Sequence, residues 1–442
     1  MHHPYAEIPE LSRVEPNIGL IRIPDQQDIP FTPRVRALVD TAEFRRLSEI
    51  SQLALTSRVY PGATHTRFEH ALGVFNNALR YLWQLGRDQR FASAVDPHLA
   101  EVLIVAALLH DIGHWPFCHP IEDMELDGLR AHESFASELL SSDSELAEVL
   151  REEWSIEPGE VLEVLDGENN EQGYKLVRSV LSGPIDIDKM DYLDRDSLHC
   201  GVPYGRNFDR SRLIESLLVN RTGDGLAISN KGKTAAELMV FARYVMFSEV
   251  YWHHAVRSAT TMFARAFFDL HQEFDLRELF LKSESEMISS LQNAAQGTEV
   301  EPLVAGVFGR RRSLYKRVAE FSLYQNEPIY QSLRGQPFGR LVEVAGELAQ
   351  AFSQATKTNI QPTDVIIDAP PAHREVEFRV DIYFPKEDVY RPLQEVSPVV
   401  DSLARTQFDD YVKRVRIFVA PHIAPRLSEI QDLSTLIQAA VK

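Results

Sequence analysis

The feature that most constrains this fold is an apolar run that ends in a polar pair. Residues 98–111 have the sequence HLAEVLIVAALLHD, which places apolar side chains on every face of a helix. Such a helix must be enclosed by other elements, so we expect a central buried helix in a large helical core. Its uninterrupted apolar stretch, residues 102–109, is much shorter than the roughly 20 residues of a membrane span. We therefore predict no membrane segment.

Hydrophobic periodicity predicts the surrounding architecture. Apolar residues at helical spacing predict helices over 68–85 and 131–140, and helical patterning resumes over 234–292. Turn-forming residues within 220–230 favour a small hairpin between helices. The sequence up to about residue 295 is therefore predicted to form a helical body.

The last third of the chain has a different period. Residues 374–385 alternate between apolar and polar side chains, which predicts a half-buried strand. Its apolar face consists of Val376, Phe378, Val380, Ile382 and Phe384. Residues 364–368 and 414–420 predict two further strands. The predicted fold is thus mainly α, with a helical body over 1–295 and a smaller C-terminal α+β lobe over 296–442.

The net charge of −19 is concentrated in one segment. Residues 141–173 hold eleven acidic residues and one basic residue, with apolar residues still at helical spacing, which predicts a solvated acidic helical pair. So acidic a chain is a poor candidate for broad nucleic-acid binding or for an anionic membrane surface. A small anion could still enter a locally cationic pocket. Two cysteines and no signal-peptide pattern favour the cytoplasm.

Histidines cluster around the apolar helix, with seven of the fifteen inside residues 65–132. The strongest element is the pair His110–Asp111 at the end of that helix. An imidazole beside a carboxylate suits a divalent transition metal, and a buried carboxylate without a cation or donor is costly. His114 shares this face if the helix continues. The alternative is a polar pair that closes the helix and faces water.

Two further segments could contribute to a site. His70 could add a nitrogen ligand, and Arg67 on the same helical face could contact an anion. Helical spacing in 183–197 places Lys189, Tyr192 and Asp196 on one stripe, which suits a phosphate beside a hydroxyl. An ordinary charged surface helix has the same pattern, so this segment alone leaves both interpretations open.

Taken in order, these residues resemble the HD-domain phosphohydrolases. His70, His110–Asp111 and Asp188 match the H…HD…D metal-binding pattern of that superfamily. More narrowly, the chain resembles the deoxynucleoside triphosphate triphosphohydrolase branch, which includes the mammalian SAM-and-HD-domain enzyme and bacterial relatives. The matching strings, over about residues 20–290, are DTAEFRRL, SQLALTSRVYPGATHTRFEHALGV, LLHDIGHWPFCH and IDIDKMDYLDRDS. With about 35 residues before the helical body, no SAM domain is expected.

The resemblance implies hydrolysis of deoxynucleoside triphosphates to nucleoside and triphosphate. It implies one divalent cation, of Fe, Mn, Zn, Ni or Mg, on the ligands His70, His110, Asp111 and Asp188. It implies three catalytic histidines and a carboxylate that orients the last of them: His114, His119, His132 and Glu122. It implies triphosphate contacts from Arg67, Lys189, Tyr192 and Arg243. It implies sugar contacts from Gln52, Leu53, Asp196 and Tyr251, with the 3′-hydroxyl on Gln52 and Asp196 and Tyr251 crowding the 2′ position.

The chain also departs from the family pattern. Two positions that contact guanine in the vertebrate activator site hold Arg45 and Ser48, although Asp40 is kept, so a nucleotide activator stays an open question. Phe247 replaces a histidine on the active-site helix. The resemblance suggests a dimer or a tetramer. Two other functions remain open: an HD phosphohydrolase acting on another nucleotide or phosphate ester, and a nucleotide-binding regulator with vestigial chemistry.

Overall fold

The structure is a computed structural model that describes residues 3–12, 19–129, 131–371, 379–403 and 412–441. The described helices up to residue 295 are α1 (Pro33–Val39), α2 (Ala42–Arg45), α3 (Arg67–Leu85), α4 (Gln89–Ala94), α5 (Pro97–Leu109), α6 (Cys118–Glu122), α7 (His132–Leu139), α8 (Glu145–Trp154), α9 (Pro158–Asp166), α10 (Gln172–Ser182), α11 (Ile187–Cys200), α12 (Arg210–Glu215), α13 (Lys233–Met246), α14 (His254–Leu270), α15 (Leu276–Leu281) and α16 (Glu284–Ala295). A π-helical turn, Phe247–Tyr251, joins α13 to α14.

The remaining described elements are the later helices and the strands. The later helices are α17 (Glu301–Phe308), α18 (Glu327–Leu333), α19 (Phe338–Thr356), α20 (Leu393–Val396), α21 (Pro398–Ser402), α22 (Ala424–Leu427) and α23 (Leu433–Ala440). The strands are β1 (Gly19–Ile23), β2 (Gln26–Phe31), β3 (Leu217–Val219), β4 (Leu226–Ser229), β5 (Lys316–Phe321), β6 (Val365–Asp368), β7 (Asp381–Phe384), β8 (Val389–Pro392) and β9 (Val415–Val419). The predicted mainly α fold is confirmed.

Helix α5 is the buried central helix that the apolar run predicts. Asp96 caps it by accepting the backbone N–H of Leu99, and Pro97 begins the helix where no N–H is needed. The side chains of residues 102–109 are all buried, and α3, α9 and α10 pack around them. Helix α11 packs against α3. Among the described residues, no helix is both long and apolar enough to cross a membrane.

The predicted acidic helical pair is also present, as α8 and α9. Ser144 caps α8, and a capping box formed by Glu157 and Glu160 begins α9. The apolar faces of the two helices are buried against α1, α2, α5 and α7. The pair therefore belongs to the folded body and is not a disordered charged tail.

Three sheets complete the fold. Strands β1 and β2 form a hairpin, β5–β9–β6 form an antiparallel sheet, and β3–β4–β7–β8 form a mixed sheet in which β4 and β7 run parallel. The hairpin predicted near 220–230 and the strands predicted near 364–368 and 414–420 are confirmed. Of the alternating strand, Val380, Ile382 and Phe384 are described, whereas Val376 and Phe378 lie outside the described residues. Strands β4 and β7 pair with each other although residue 295 lies between them in the sequence. The division into two domains at residue 295 stays a prediction.

Candidate active site

Three elements meet at the proposed metal centre. His70 lies in the first turn of α3, and Asp188 lies in the first turn of α11. His110 and Asp111 follow the last residue of α5. The Nε2 atoms of His70 and His110 lie 3.2 Å apart, and Asp188 Oδ1 lies 3.0 Å from the first and 4.0 Å from the second. Asp111 Oδ1 lies 3.6 Å from His110 Nε2.

The tautomers of the two histidines fit a cation. His70 Nδ1 is 2.8 Å from Asp191 Oδ2, and His110 Nδ1 is 2.9 Å from the carbonyl oxygen of Ala107. Each Nδ1–H therefore donates to an oxygen acceptor and leaves a lone pair on Nε2. Two lone pairs facing each other at 3.2 Å repel unless a proton or a cation lies between them. Ligands bound at about 2.1 Å in perpendicular directions stand about 3 Å apart, close to the spacing found here.

The protonation of the donor set supports the same conclusion. Burial lowers the pKa of His70, but Asp188 and Asp191 together raise it to about 10. The carboxylates thus draw a positive charge to this position, and a divalent cation would take the place of the proton. Burial raises the pKa of the Asp111 carboxyl, but the nearby Arg67 and His114 outweigh burial and hold that pKa well below its usual range. The residues present therefore fit a divalent metal.

The His110–Asp111 pair does not face water. The two side chains are only 11% and 8% exposed, so the alternative of a solvated polar pair closing the helix is wrong. The helix itself stops at Leu109, so His114 is not on a continued helical face. A turn brings His114 back instead, and its Nδ1 lies 3.2 Å from Asp111 Oδ1.

The three implied catalytic histidines lie together beside this centre. The rings of His114 and His132 are 3.9 Å apart between centroids, and His119 lies 5.1 Å from His114. Glu122 accepts the backbone N–H of His132 at 2.8 Å and lies 2.9 Å from its Nδ1. Gly113 makes this approach possible, because a Cβ there would lie 2.1 Å from the carbonyl oxygen of His132.

These histidines differ in their protonation and exposure. Burial and nearby positive charge lower the pKa of His114 well below its ordinary value. Burial acts the same way on His132, but the hydrogen bond to Glu122 outweighs it and raises the pKa. Two histidines hold the pKa of the Glu122 carboxyl far below its usual range. His132 can therefore hold a proton beside a neutral His114, while the largely exposed His119 reaches solvent.

A second cluster contains the implied sugar contacts. Asp196 on α11 accepts the Tyr251 hydroxyl through Oδ2 at 2.6 Å, and His65 Nε2 lies 2.8 Å from its Oδ1. Gln52 is held in the adjacent loop, where its backbone N–H donates to the carbonyl oxygen of His65 at 3.0 Å. Its side-chain Oε1 is buried and accepts no hydrogen bond from any described residue. Leu53 follows in the same loop and is half-buried.

The implied phosphate contacts are cations that already have partners. Arg67 donates to Asp111 Oδ2 at 2.6 Å, although its buried Nε has no hydrogen-bond partner in the described part of the chain. Lys189 is paired with Asp186, the N-cap residue of α11. Arg243 lies over the ring of Phe247 at 5.4 Å from its centroid. Burial raises the pKa of the Tyr192 hydroxyl, and the nearby positive charges of Arg243 and Lys189 lower it.

Sequence reasoning assigned no role to several residues that hold these groups. Asp191 binds His70 Nδ1 and accepts both Nε and Nη2 of Arg195 at 2.8 Å. Arg195 also donates to Glu69 at 2.7 Å. The available signal was spacing, since Asp191 lies three residues after Asp188 and four before Arg195 on one helix. No such signal marked His65, because its partner Asp196 is 131 residues away.

Comparison with known proteins identifies the family. The profile described as an HD domain matches residues 67–196, and the profile described as an HD-associated region matches residues 208–429, half of the chain. This chain belongs to the HD-domain family. The first match begins at Arg67 and ends at Asp196, so it contains the candidate metal ligands His70, His110, Asp111 and Asp188 and the three histidines described above.

Individual relatives extend this assignment. An uncharacterised protein of Methanocaldococcus jannaschii is 30% identical over 389 residues, covering 87% of this chain and 76% of that protein. The deoxynucleoside triphosphate triphosphohydrolase SAMHD1 of Bos taurus is 24% identical over 401 residues, covering 81% and 67%. Matches to several other relatives span 39% to 57% of those proteins. A solved structure of a hypothetical protein from Aquifex aeolicus is similar with a TM-score of 0.71 at 25% identity, covering 96% of this chain and all of that one.

The HD-domain profile, the relatives and the site agree on the enzyme class. The chain is an HD-superfamily phosphohydrolase, and it is similar in sequence to deoxynucleoside triphosphate triphosphohydrolases. Grouped histidine and aspartate ligands in the described structure can hold a divalent metal.

Proposed function

We propose that this HD-domain protein hydrolyses deoxynucleoside triphosphates to nucleoside and inorganic triphosphate. The observation that carries the proposal is that helix α11 joins the metal centre to a hydroxyl-binding cluster. Asp188 and Asp196 are eight residues apart, about 12 Å along the helix axis. Two side chains at that separation can reach a phosphate and the far side of its own sugar ring.

The sugar end of this helix supports binding of a 3′-hydroxyl. Gln52 has a buried acceptor that lacks a donor among the described residues, and Asp196 is an acceptor in the same cluster. A sugar hydroxyl that donates its one proton to Gln52 Oε1 would satisfy the unmet acceptor. A site built to bind a hydroxyl strongly disfavours analogues that lack it, because its buried polar groups are then left unpaired.

The chain's own residues have defined tasks in the proposed reaction. The cation held by His70, His110, Asp111 and Asp188 would supply an activated water and polarise a phosphate oxygen. In the hydrolysis, a water oxygen would form a bond to the α-phosphorus and release a proton to solvent, while the bond from the α-phosphorus to the 5′-oxygen breaks. Arg67, Lys189 and Arg243 would stabilise the charge on the phosphate oxygens.

Proton transfer to the leaving group falls to the histidine cluster. The 5′-oxygen takes a proton as it leaves, and His132 is a candidate donor because the hydrogen bond to Glu122 raises the pKa of its ring. His119 is the other candidate donor, but it is 62% exposed and only loosely placed, with Nδ1 3.6 Å from Glu122. General acid catalysis of this kind contributes about 10²–10⁴-fold to the rate.

Product analysis with purified metal-loaded enzyme tests the proposal. Each deoxynucleoside triphosphate is incubated with the enzyme, with and without a second nucleotide as activator, and the products are separated by anion-exchange chromatography. Free nucleoside plus triphosphate supports the proposal. Monophosphate plus pyrophosphate contradicts it, as does turnover only of a monophosphate or a cyclic nucleotide. The His110→Ala variant is the control for contaminating hydrolases, and we expect it to lose both metal and activity.

A further inference from the structure

One buried histidine, His65, contacts both Asp196 and Gln52 in the cluster of implied sugar contacts. His65 lies in the loop that precedes α3, and its side chain is fully buried. Its Nε2 lies 2.8 Å from Asp196 Oδ1, and its carbonyl oxygen accepts the backbone N–H of Gln52 at 3.0 Å. A single residue therefore contacts the side chain of Asp196 and the backbone of Gln52, the two residues to which the proposed function assigns the 3′-hydroxyl.

The tautomer of His65 follows from its partners. A carboxylate only accepts hydrogen bonds, so Nε2 carries the proton that is donated to Asp196. Its Nδ1 is buried and has no hydrogen-bond partner among the described residues. The other carboxylate oxygen accepts the hydroxyl of Tyr251 at 2.6 Å. Asp196 is thus held by one donor on each oxygen.

The ring of His65 is itself held in place. It stacks on the ring of His199 with 4.2 Å between centroids and 19° between planes. His199 Nε2 lies 2.9 Å from Glu69 Oε1, and Arg195 donates to that same oxygen at 2.7 Å. Glu69 and Arg195 therefore fix the stacking partner, and Arg195 in turn contacts Asp191, which holds His70. The orientation of Asp196 is connected to the metal centre through this network.

We infer that His65 is the positioning residue that sets discrimination between substrates with and without a 3′-hydroxyl. This inference rests on the proposed function, because it concerns how that site binds its substrate. The side chain of His65 acts through Asp196. Without the hydrogen bond that His65 donates, the carboxylate of Asp196 is held, among the described residues, only by the Tyr251 hydroxyl, and its orientation is no longer fixed.

A matched pair of variants tests the inference. His65→Met and His65→Gln introduce unbranched side chains of similar length, and only glutamine can donate to Asp196. The measurement is kcat/KM for a deoxynucleoside triphosphate divided by kcat/KM for its 2′,3′-dideoxy counterpart with the same base. We expect His65→Met to reduce this ratio roughly tenfold to hundredfold, as for loss of a hydrogen bond to a charged group. We expect His65→Gln to keep a ratio close to that of the wild-type enzyme.

Controls separate positioning from folding. His98→Gln, at an exposed histidine paired with Glu160, should leave the ratio unchanged. Metal content and melting temperature are measured for every variant, and if His65→Met does not fold, Tyr251→Phe removes the other donor to Asp196 and must lower the ratio instead. An unchanged ratio in a folded His65→Met variant overturns the inference about His65 but leaves the proposed function standing. A wild-type enzyme that hydrolyses both substrates equally well does the same. A wild-type enzyme that hydrolyses no deoxynucleotide overturns the proposed function and this inference with it.

Discussion

Single carboxylates hold the imidazole rings of this site by one nitrogen and leave the other nitrogen for chemistry. Asp191 binds Nδ1 of His70, and Glu122 lies 2.9 Å from Nδ1 of His132. At His70 the remaining nitrogen faces Asp188 and the metal position, and at His132 the remaining nitrogen lies 3.4 Å from Glu133 Oε1. Fixing the tautomer in this way orients the ring and tunes its basicity.

Tyr251 has two separable tasks at the residue scale. Its ring is the expected barrier to a 2′-hydroxyl, and its own hydroxyl donates to Asp196. We expect Tyr251→Phe to lower kcat/KM for deoxynucleotides roughly tenfold through the lost hydrogen bond, with ribonucleotides still excluded. We expect Tyr251→Ala to raise ribonucleotide turnover relative to deoxynucleotide turnover as well. An equal ratio in wild type and Tyr251→Ala would remove Tyr251 from sugar selection.

The Glu122–His132 pair predicts a pH dependence. Since Glu122 raises the pKa of His132, the imidazolium persists above its ordinary range. A step that needs this proton slows as the pH rises through that pKa, so the alkaline limb of the kcat/KM profile reports it. The raised pKa also stabilises the fold at low pH, a contribution lost as the pH rises through the folded-state pKa.

The Glu122→Gln variant tests this dependence. Glutamine keeps an acceptor for the backbone N–H of His132 but removes the charge, so the pKa of His132 should fall. We expect the alkaline limb to move to lower pH and the activity near pH 8 to fall roughly tenfold or more. Glu125→Gln, which changes another carboxylate of the cavity that Glu122 lines, is the matched control. A limb that stays in place in Glu122→Gln would show that His132 is not the proton donor.

At this scale the sequence supplied the candidate metal ligands and the candidate catalytic residues through their resemblance to a family motif. It could not supply the contact of His65 with Asp196 or of Asp191 with His70, because each contact joins residues that only folding brings together. Asp191 and His70 are 121 residues apart, and no local spacing relates them. The sequence also could not show that Arg67 and Lys189 are paired with Asp111 and Asp186, which depends on side-chain geometry.

At the scale of elements, the site depends on the close packing of α3 against α11. Gly73 on α3 faces Asp191 and Arg195, and a Cβ there would lie 2.0 Å from Asp191 Oδ1 and 2.4 Å from Arg195 Nη2. Hydrophobic periodicity predicted α3 well, because one face of the helix is buried along its whole length. Periodicity could not predict that His110 and Asp111, which follow the last residue of α5, are buried.

Substitution of Gly73 tests this packing. We expect Gly73→Ala to lower the free energy of unfolding by about 2 kcal/mol or more through overpacking. We also expect lower metal occupancy, because the displaced Asp191 no longer orients His70. Gly159→Ala is the matched control, since a Cβ on that helical glycine contacts nothing within 4 Å. Urea unfolding and metal analysis measure both effects, and equal stability of the two variants would contradict the packing argument.

At the scale of the whole molecule, the acidic charge and the anionic substrate are compatible. About half of the net charge lies in the segment that forms α8 and α9, a helical pair packed on the body. Within the proposed site, Arg67, Lys189, Arg243 and a divalent cation would present positive charge to the phosphates. The net charge of the whole chain by itself would disfavour an anionic substrate, because it does not show where the acidic residues lie.

The central claim is that the protein directs water to the α-phosphorus of a deoxynucleoside triphosphate. Hydrolysis in water enriched in oxygen-18, followed by mass spectrometry of both products, tests it most directly. The account predicts one heavy oxygen in the inorganic triphosphate and none in the nucleoside. Heavy oxygen in the nucleoside, or a labelled monophosphate or pyrophosphate with no triphosphate formed, would contradict it.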